Sequence, residues 1–79
     1  MKKNKVKFNI AILGCGRVAQ HYFKIFKLNK IRDINIVGVC DLKINKAKLF
    51  ANKFNSRYFT DLSNMINQIK IDLLIICTP

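Results

Sequence analysis

The chain alternates between short apolar runs and amphipathic stretches. Four runs predict β-strands, because they are rich in apolar, aromatic or β-branched residues and are bounded by polar residues or glycine. They span Phe8–Leu13, Asn35–Cys40, Arg57–Phe59 and Leu73–Cys77. The three stretches between them carry apolar residues at the spacing of one helix face. The predicted order is therefore β-α-β-α-β-α-β, which favours a parallel sheet with right-handed crossovers.

Each predicted helix has one apolar face that suits packing against a sheet. The second helix has the clearest pattern, since its apolar residues fall at positions i, i+3, i+4 and i+7. Thr60 or Asp61 is expected to cap the third helix, because either side chain accepts hydrogen bonds from backbone N–H groups. The predicted apolar positions are Val18, Tyr22, Ile25 and Phe26 in the first helix, Ala47, Phe50, Ala51 and Phe54 in the second, and Leu62, Met65, Ile66 and Ile69 in the third.

A glycine turn lies where the first strand meets the first helix. Gly14, Gly16 and Ala19 form a G-x-G-x-x-A pattern directly after the strand, and Asp41 closes the next strand. The first glycine permits a sharp turn, the second lets backbone approach a pyrophosphate, and the small third residue lets helix and strand pack closely. This ordered set predicts a Rossmann-type α/β fold that binds a dinucleotide.

The same residues indicate how the dinucleotide is held. The backbone N–H groups of Gly16, Arg17 and Val18 are expected to face the pyrophosphate at the positive end of the helix dipole. The Arg17 side chain either contacts phosphate or reaches into solvent. Asp41 is expected to bind the adenosine ribose and to repel a 2′-phosphate, so NAD is the predicted cofactor. Lys43 keeps NADP open, because a nearby base would tolerate that phosphate.

The chain is expected to hold only the first half of such a fold. Two mononucleotide-binding halves build the complete sheet, and 79 residues supply one of them. The run Leu73–Cys77 shows no polar alternation, so we expect it to be buried on both faces. We interpret residues 1–7 as a basic arm and residues 8–79 as the N-terminal part of a Rossmann domain. On this interpretation the chain is a piece of a longer protein, and the substrate domain is absent.

The charge is strongly positive, with 15 basic residues against four acids and a formal net charge of +11. Such a balance is typical of nucleic-acid-binding surfaces, but also of solvated surfaces with a biased composition. The basic residues are spread along the chain, and no aromatic residues interleave with them as a stacking platform requires. We therefore expect no nucleic-acid partner.

The N-terminus combines basic residues with an apolar stretch and thus resembles a targeting segment. The stretch before Cys15 covers only residues 8–13, and Asn9 interrupts it. A signal peptide usually needs about 7–15 apolar residues and a membrane span about 20. A buried first strand explains the stretch better, so we expect a cytoplasmic protein without a membrane partner.

Candidate catalytic and metal-binding residues are few. Cys15, Cys40 and Cys77 form no C-x-x-C pair and have no neighbouring histidine cluster, which argues against a zinc site or a disulfide framework. His21 is the single histidine and is expected to be a surface or packing residue, and glutamate is absent. The sequence therefore predicts a segment that holds a cofactor but lacks catalytic residues and a metal.

Four local patterns occur in order along the chain. They are residues 12–19 around the turn, residues 36–41 followed by Lys46, Ala47 and Ala51, residues 58–61 with Leu62 and Met65, and residues 72–79, which end in a Thr-Pro pair. The first pattern recurs in many dinucleotide folds, but the four in this order and at these spacings are much more specific. Through them, residues 8–79 resemble the N-terminal domain of the glucose–fructose oxidoreductase/inositol dehydrogenase (Gfo/Idh/MocA) family, in which the Thr-Pro pair is a signature.

The resemblance implies roles for individual residues. Gly14, Gly16, Arg17 and Val18 would line the pyrophosphate site, Asp41 would bind the ribose, and Thr78 and Pro79 would border the groove. Family members transfer hydride between NAD or NADP and sugars, nucleotide sugars or polyols. Their catalytic lysine lies beyond the position of Pro79, and their second domain binds substrate and often forms oligomers. The resemblance thus implies a dehydrogenase, with a homo-oligomeric parent protein.

Two alternatives belong to other functional classes. A non-enzymatic nucleotide-sensing Rossmann regulatory domain would also carry the glycine turn and the acid after the second strand. The Thr-Pro pair after the fourth strand and the Lys46-Ala47 pair argue against it. A nucleic-acid-binding fragment would owe its affinity to the charge, and it would bind DNA with steep salt dependence.

Overall fold

The computed structural model describes residues 8–29 and 33–77. Its elements follow the predicted order of strands and helices, so the prediction of an α/β fold is confirmed. The predicted basic arm (residues 1–7) lies outside the described residues, as does the side chain of Phe26. The elements are β1 (Phe8–Leu13), α1 (Arg17–Asn29), β2 (Ile34–Cys40), α2 (Ile44–Phe54), β3 (Arg57–Phe59), α3 (Leu62–Gln68) and β4 (Leu73–Ile76).

The four strands form one parallel sheet in the order β3-β2-β1-β4. The chain moves outward from β1 through β2 to β3 and then returns to the other side of β1 as β4. The winding direction therefore reverses between β1 and β4. In sheets of this kind the loops leave the carboxyl ends of these two strands in opposite directions and open a crevice.

Two apolar layers hold the helices against the two faces of the sheet. Neighbouring residues of β1 point to opposite faces. Ile12 packs in a cluster with the α2 residue Phe50, whereas Ala11 packs with the α3 residue Met65. Ala19 of α1 is fully buried in the first cluster, which agrees with its predicted role as the small residue that lets helix and strand approach.

The third helix begins where the sequence predicted. Asp61 precedes it with extended backbone, and its carboxylate accepts a hydrogen bond from the Ser63 N–H at 3.3 Å. The capping residue is thus Asp61, the second of the two candidates. The second helix ends at Asn55 in the left-handed conformation, with φ of 57°. Asparagine tolerates this conformation better than most residues.

The predicted apolar face of α3 is wrong at one position. Ile66 is 53% exposed, whereas Met65 is fully buried and Leu62 and Ile69 pack beside it. The helix has only seven residues and lies over β2 and β3. Ile66 therefore lies on a side of α3 that no element in the described ranges covers.

The expectation that the fourth strand is buried on both faces is also wrong. Leu73 is 45% exposed and Ile76 is 63% exposed, while Leu74 and Ile75 pack against the two apolar clusters. Among the described strands, β4 pairs with β1 alone, and it lies at the edge of their sheet. The described helices therefore leave this apolar edge strand partly uncovered.

Replacing Gly38 with alanine is expected to lower the free energy of unfolding by about 1 kcal/mol. A Cβ atom at this position of β2 would lie 2.6 Å from Cδ1 of Ile69 and 3.1 Å from Sδ of Met65. The cost stays moderate because both atoms belong to side chains that can rotate. Urea unfolding measures it.

The control for this prediction is Ile69→Val, which removes the Cδ1 atom that the new methyl group meets. The Gly38→Ala change should cost less in the Ile69→Val background than in the wild type. Equal costs in both backgrounds would show that the two positions do not interact.

Candidate functional site

The glycine turn lies where the carboxyl ends of three strands meet. Gly14 has φ of 95°, a conformation that side chains rarely adopt. Its N–H donates to the Cys40 carbonyl at 2.7 Å, which ties the turn to the end of β2. The Cys77 N–H donates to the Leu13 carbonyl at 2.7 Å and ties the end of β4 to the end of β1. The turn thus sits at the reversal point of the sheet.

The first helix starts directly after this turn. The Gln20 N–H donates to the Gly16 carbonyl at 3.1 Å, which is the first hydrogen bond of α1. The N–H groups of the preceding residues have no partner within the helix, because a helix leaves its first N–H groups unpaired. Arg17 and Val18 contribute two of them, and both residues are exposed. These groups and the helix dipole favour an anion at this end.

The space beside Gly16 is open. A Cβ atom added at Gly16 meets no other atom within 4 Å. The packing of the described protein therefore does not require glycine at this position. A ligand that approaches the backbone closely would require it, as the pyrophosphate of a dinucleotide does in this fold.

Asp41 clamps the turn from the end of the neighbouring strand. Its Oδ2 accepts a hydrogen bond from the Cys15 N–H at 2.9 Å, and its Oδ1 accepts one from the Lys43 N–H at 2.8 Å. Its own N–H donates to the Phe59 carbonyl at 3.0 Å. The acid is therefore held between the glycine turn and the start of α2. The sequence predicted a ribose ligand at Asp41 but not this clamp.

These contacts set the charge of Asp41. Burial favours its neutral form, but the N–H groups of Lys43 and Cys15 donate to the carboxylate, and the ammonium groups of Lys46 and Lys43 lie near it. Together they hold the pKa of Asp41 below its ordinary value. The carboxylate is thus ionised at neutral pH.

A groove runs along the turn on both sides of Asp41. An inner cavity of about 380 Å³ lies at the start of α1, and an outer cavity of about 470 Å³ lies toward β3 and α3. Gly14, Asp41 and Lys46 line both cavities. The inner cavity is completed by Cys15, Gly16, Arg17, Val18 and Cys77, and the outer cavity by Leu13, Cys40, Leu42, Lys43, Thr60, Asp61 and Leu62.

The groove brings five predicted site residues together, namely Gly14, Gly16, Arg17, Val18 and Asp41. Val18, which the helix pattern placed on an apolar face, instead contributes an exposed side chain to the groove. Thr78 and Pro79 lie outside the described residues. Lys46 was not predicted from the sequence as a residue of the groove, although its position in the first turn of α2, shortly after Asp41, could have indicated this role.

The cysteines line the same end of the sheet as buried thiols. Cys15, Cys40 and Cys77 are 5%, 2% and 8% exposed, and each lines one of the two cavities. Burial raises the pKa of all three, and Asp41 adds to the effect on Cys15. Neutral buried thiols are weak nucleophiles.

Ionisation of Cys15 is expected to destabilise the fold at high pH. Burial, followed by the charge of Asp41, raises the pKa of Cys15 from 9.0 to about 12. The neutral Cys15 thiol contributes fully to the free energy of unfolding below its ordinary pKa of 9.0. This contribution is lost as the pH rises through the folded-state pKa of about 12, because the unfolded chain releases the proton at a lower pH than the folded chain. The free energy of unfolding should therefore fall more steeply between pH 9 and 12 in the wild type than in a Cys15→Ala variant. Urea denaturation of both proteins across this range measures the difference, and parallel curves would contradict the prediction.

Features of a metal site or of a membrane span are absent from the part of the chain that the structure covers. Residues 8–29 and 33–77 contain no group of three or more His, Cys, Asp or Glu side chains placed to hold a metal ion. His21 is exposed on α1, away from the groove-lining residues. No described helix is long and apolar enough to cross a membrane.

Comparison with known proteins assigns a family to this arrangement. The family profile described as an oxidoreductase family with an NAD-binding Rossmann fold (Gfo/Idh/MocA) matches residues 8–79. The D-glucoside 3-dehydrogenase of Escherichia coli is 30% identical over 71 residues, which are 89% of this chain and 20% of that protein.

Solved structures show the same fold. The WlbA dehydrogenase of Chromobacterium violaceum, determined in complex with NADH and UDP-GlcNAcA, superposes with a TM-score of 0.85 at 26% identity, covering 99% of this chain and 22% of that one. The myo-inositol 2-dehydrogenase of Lactobacillus plantarum superposes with a TM-score of 0.79 at 27% identity, covering 92% and 22%. The chain thus spans about a fifth of the length of these relatives.

Proposed function

Since the chain belongs to the Gfo/Idh/MocA family of oxidoreductases and has its NAD-binding Rossmann fold, we propose that it is the cofactor-binding part of a dehydrogenase. The reaction is hydride transfer between NAD(P) and a sugar, nucleotide sugar or polyol. The assignment of the cofactor groove rests on the open space beside Gly16. Packing of the described protein leaves room for a side chain there, so a glycine at this position favours the close approach of a bound group.

The pyrophosphate of NAD would lie against the start of α1. The unpaired N–H groups of the first helical turn and the positive end of the helix favour its negative charge. Gly14 gives the turn its shape through its positive φ, and Gly16 lets the backbone come close to the phosphates. Arg17 and Val18 line the same cavity and would border the pyrophosphate.

Asp41 would bind the two hydroxyls of the adenosine ribose. Each carboxylate oxygen offers about two acceptor sites, and backbone N–H groups occupy one site on each oxygen. One site on each oxygen thus remains, which suits a pair of neighbouring hydroxyls. Because the clamp also fixes the carboxylate against the glycine turn, ribose and pyrophosphate would be positioned by one rigid unit.

The bound nicotinamide would supply the hydride acceptor or donor. Residues of this chain would hold the cofactor, and we assign to Thr78 and Pro79, on family resemblance, the border of its groove. Acid–base groups for the reaction, the substrate site and the contacts of a homo-oligomer are proposed to lie in the part of the relatives that this chain does not span.

The proposed substrate class follows from the relatives. Their names refer to a glucoside and an inositol, and one relative was determined with a nucleotide sugar. All of these are rings with several hydroxyl groups. A secondary alcohol on such a ring is a suitable hydride donor to NAD.

The proposal is tested by incubating the dehydrogenase of which this chain would be the cofactor-binding part, purified from its native source, with NAD and a panel of glucosides, inositols and nucleotide sugars. Formation of reduced nicotinamide, followed by its absorbance, is expected with at least one member of the panel. Binding of NAD without turnover of any polyol would support the cofactor groove but contradict the proposed substrate class. Absence of NAD binding would contradict the proposed function as a whole.

A further inference from the structure

We propose that Lys46 determines whether the groove accepts a phosphate on the adenosine ribose, and that it gives the site affinity for NADP as well as NAD. The inference rests on the proposed function, because it concerns specificity within the same groove. Its basis is the position of Lys46 beside Asp41, on the boundary between the inner and outer cavities.

Lys46 presents a cation that none of the described residues neutralises through direct contact. The residue lies in the first turn of α2, where its N–H donates to the Lys43 carbonyl at 3.1 Å. Its side chain is exposed and forms no hydrogen bond or ion pair with a residue in the ranges 8–29 and 33–77. The ammonium group is therefore available to an anionic ligand.

The field of this ammonium group reaches both parts of the groove. Lys46 contributes to lowering the pKa of Asp41 and opposes the rise in the pKa of Cys15 in the glycine turn. Asp41 alone would repel a phosphate on the ribose that it binds. A cation beside it offsets this repulsion, since hydrogen bonds between an ammonium and a phosphate are among the strong ones in proteins.

The other nearby cations are less well placed. Lys43 lines the outer cavity but not the inner one, and Arg17 lines the inner cavity but not the outer one. Asp41, which would hold the ribose, lies on the boundary that both cavities share. Among these three cations, Lys46 is the one on that boundary, and it is therefore the expected partner of a 2′-phosphate.

The test compares the binding of NADH and NADPH to the native protein and to a Lys46→Ala variant, measured by nicotinamide fluorescence. We expect the Kd for NADPH to rise about 10-fold, which corresponds to about 1.4 kcal/mol, and the Kd for NADH to rise much less. Lys46→Arg, which keeps the charge, should retain the affinity for NADPH.

The matched control is Lys48→Ala, which removes the same charge from the same helix. Lys48 lies over the ring of Tyr58, outside both cavities, and its removal should leave the ratio of the two Kd values unchanged. A Lys43→Ala variant tests whether Lys43, the competing cation of the outer cavity, binds the phosphate instead. It should change the ratio of the two Kd values less than Lys46→Ala does.

Three results would overturn the inference. The first is a wild-type protein that binds NADH but not NADPH. The second is an unchanged ratio of the two Kd values in Lys46→Ala, whether or not both affinities fall, and the third is a larger change of this ratio in Lys43→Ala than in Lys46→Ala. A wild-type protein that binds neither cofactor would instead contradict the proposed function. The two failures are therefore distinguishable.

Discussion

Replacing Gly16 with valine is expected to abolish NAD binding while leaving the fold intact. The new side chain would enter open space, because an added Cβ atom meets no protein atom within 4 Å. It would occupy the place where the pyrophosphate approaches the backbone. We expect the Kd for NAD to rise at least about 100-fold, which corresponds to about 2.8 kcal/mol. Calorimetric titration gives the Kd, and thermal unfolding without cofactor should give an unchanged midpoint.

The first glycine of the turn, Gly14, supplies the contrast. Gly14 has φ of 95°, so a side chain there strains the backbone whether or not a ligand is bound. Gly14→Ala should therefore lower the unfolding midpoint as well as the affinity for NAD, whereas Gly16→Val should lower the affinity alone. A Gly16→Val protein that binds NAD with wild-type affinity would refute the assignment of this space to the cofactor.

Replacing Asp41 with asparagine is expected to weaken both the cofactor site and the turn that forms it. Asparagine has one acceptor oxygen and an NH₂ group, so it cannot accept from the Cys15 and Lys43 N–H groups with two different oxygens. It also loses the charge that strengthens hydrogen bonds from the ribose, since a hydrogen bond to a charged group contributes about 1.5–3 kcal/mol and a neutral one about 0.5–1.5 kcal/mol. We expect the Kd for NAD to rise about 10- to 100-fold.

Asp61→Asn serves as the matched control for this change. Asp61 lines the outer cavity too, but its carboxylate caps α3 and makes no hydrogen bond to the glycine turn. The same loss of charge should therefore have little effect on NAD affinity, since asparagine is also a good capping residue. Equal losses of affinity in both variants would show that Asp41 acts only through the net charge of the groove.

Much of the fold could be predicted from the sequence because its elements follow local rules. The predicted bounds of β1 and β3 agree with the structure, and the predicted start of β2 differs by one residue. Asp61 was among the predicted caps, since capping depends on residues close in sequence. These features need only the hydrophobic period and local hydrogen bonding.

Exposure was harder to predict because it depends on which elements cover a position. Ile66 fits the apolar spacing of α3 but lies on its flank, and Leu73 and Ile76 belong to an edge strand. The spacing of apolar residues indicates whether a segment is a helix or a strand, but it does not indicate which neighbouring elements cover that segment. The same pattern thus occurs in buried and partly exposed elements.

The site could be predicted by its residues but not by its internal contacts. The glycine turn and Asp41 follow from a sequence pattern. The bond from the Cys15 N–H to Asp41 depends on the alignment of β1 with β2, which places Leu13 beside Cys40. The position of Lys46 between two cavities depends on how α2 lies against the sheet. Neither relation is local in sequence.

The central claim is that the groove around Gly16 and Asp41 holds NAD. Hydrogen–deuterium exchange of the native protein with and without NAD tests it most directly. Binding of NAD in this groove predicts slower exchange in peptides that cover residues 13–20 and 40–47, and unchanged exchange over residues 48–56, which form the C-terminal part of α2 and its end and line neither cavity. Protection that is absent from the first two segments, or that is confined to other parts of the protein, would contradict it.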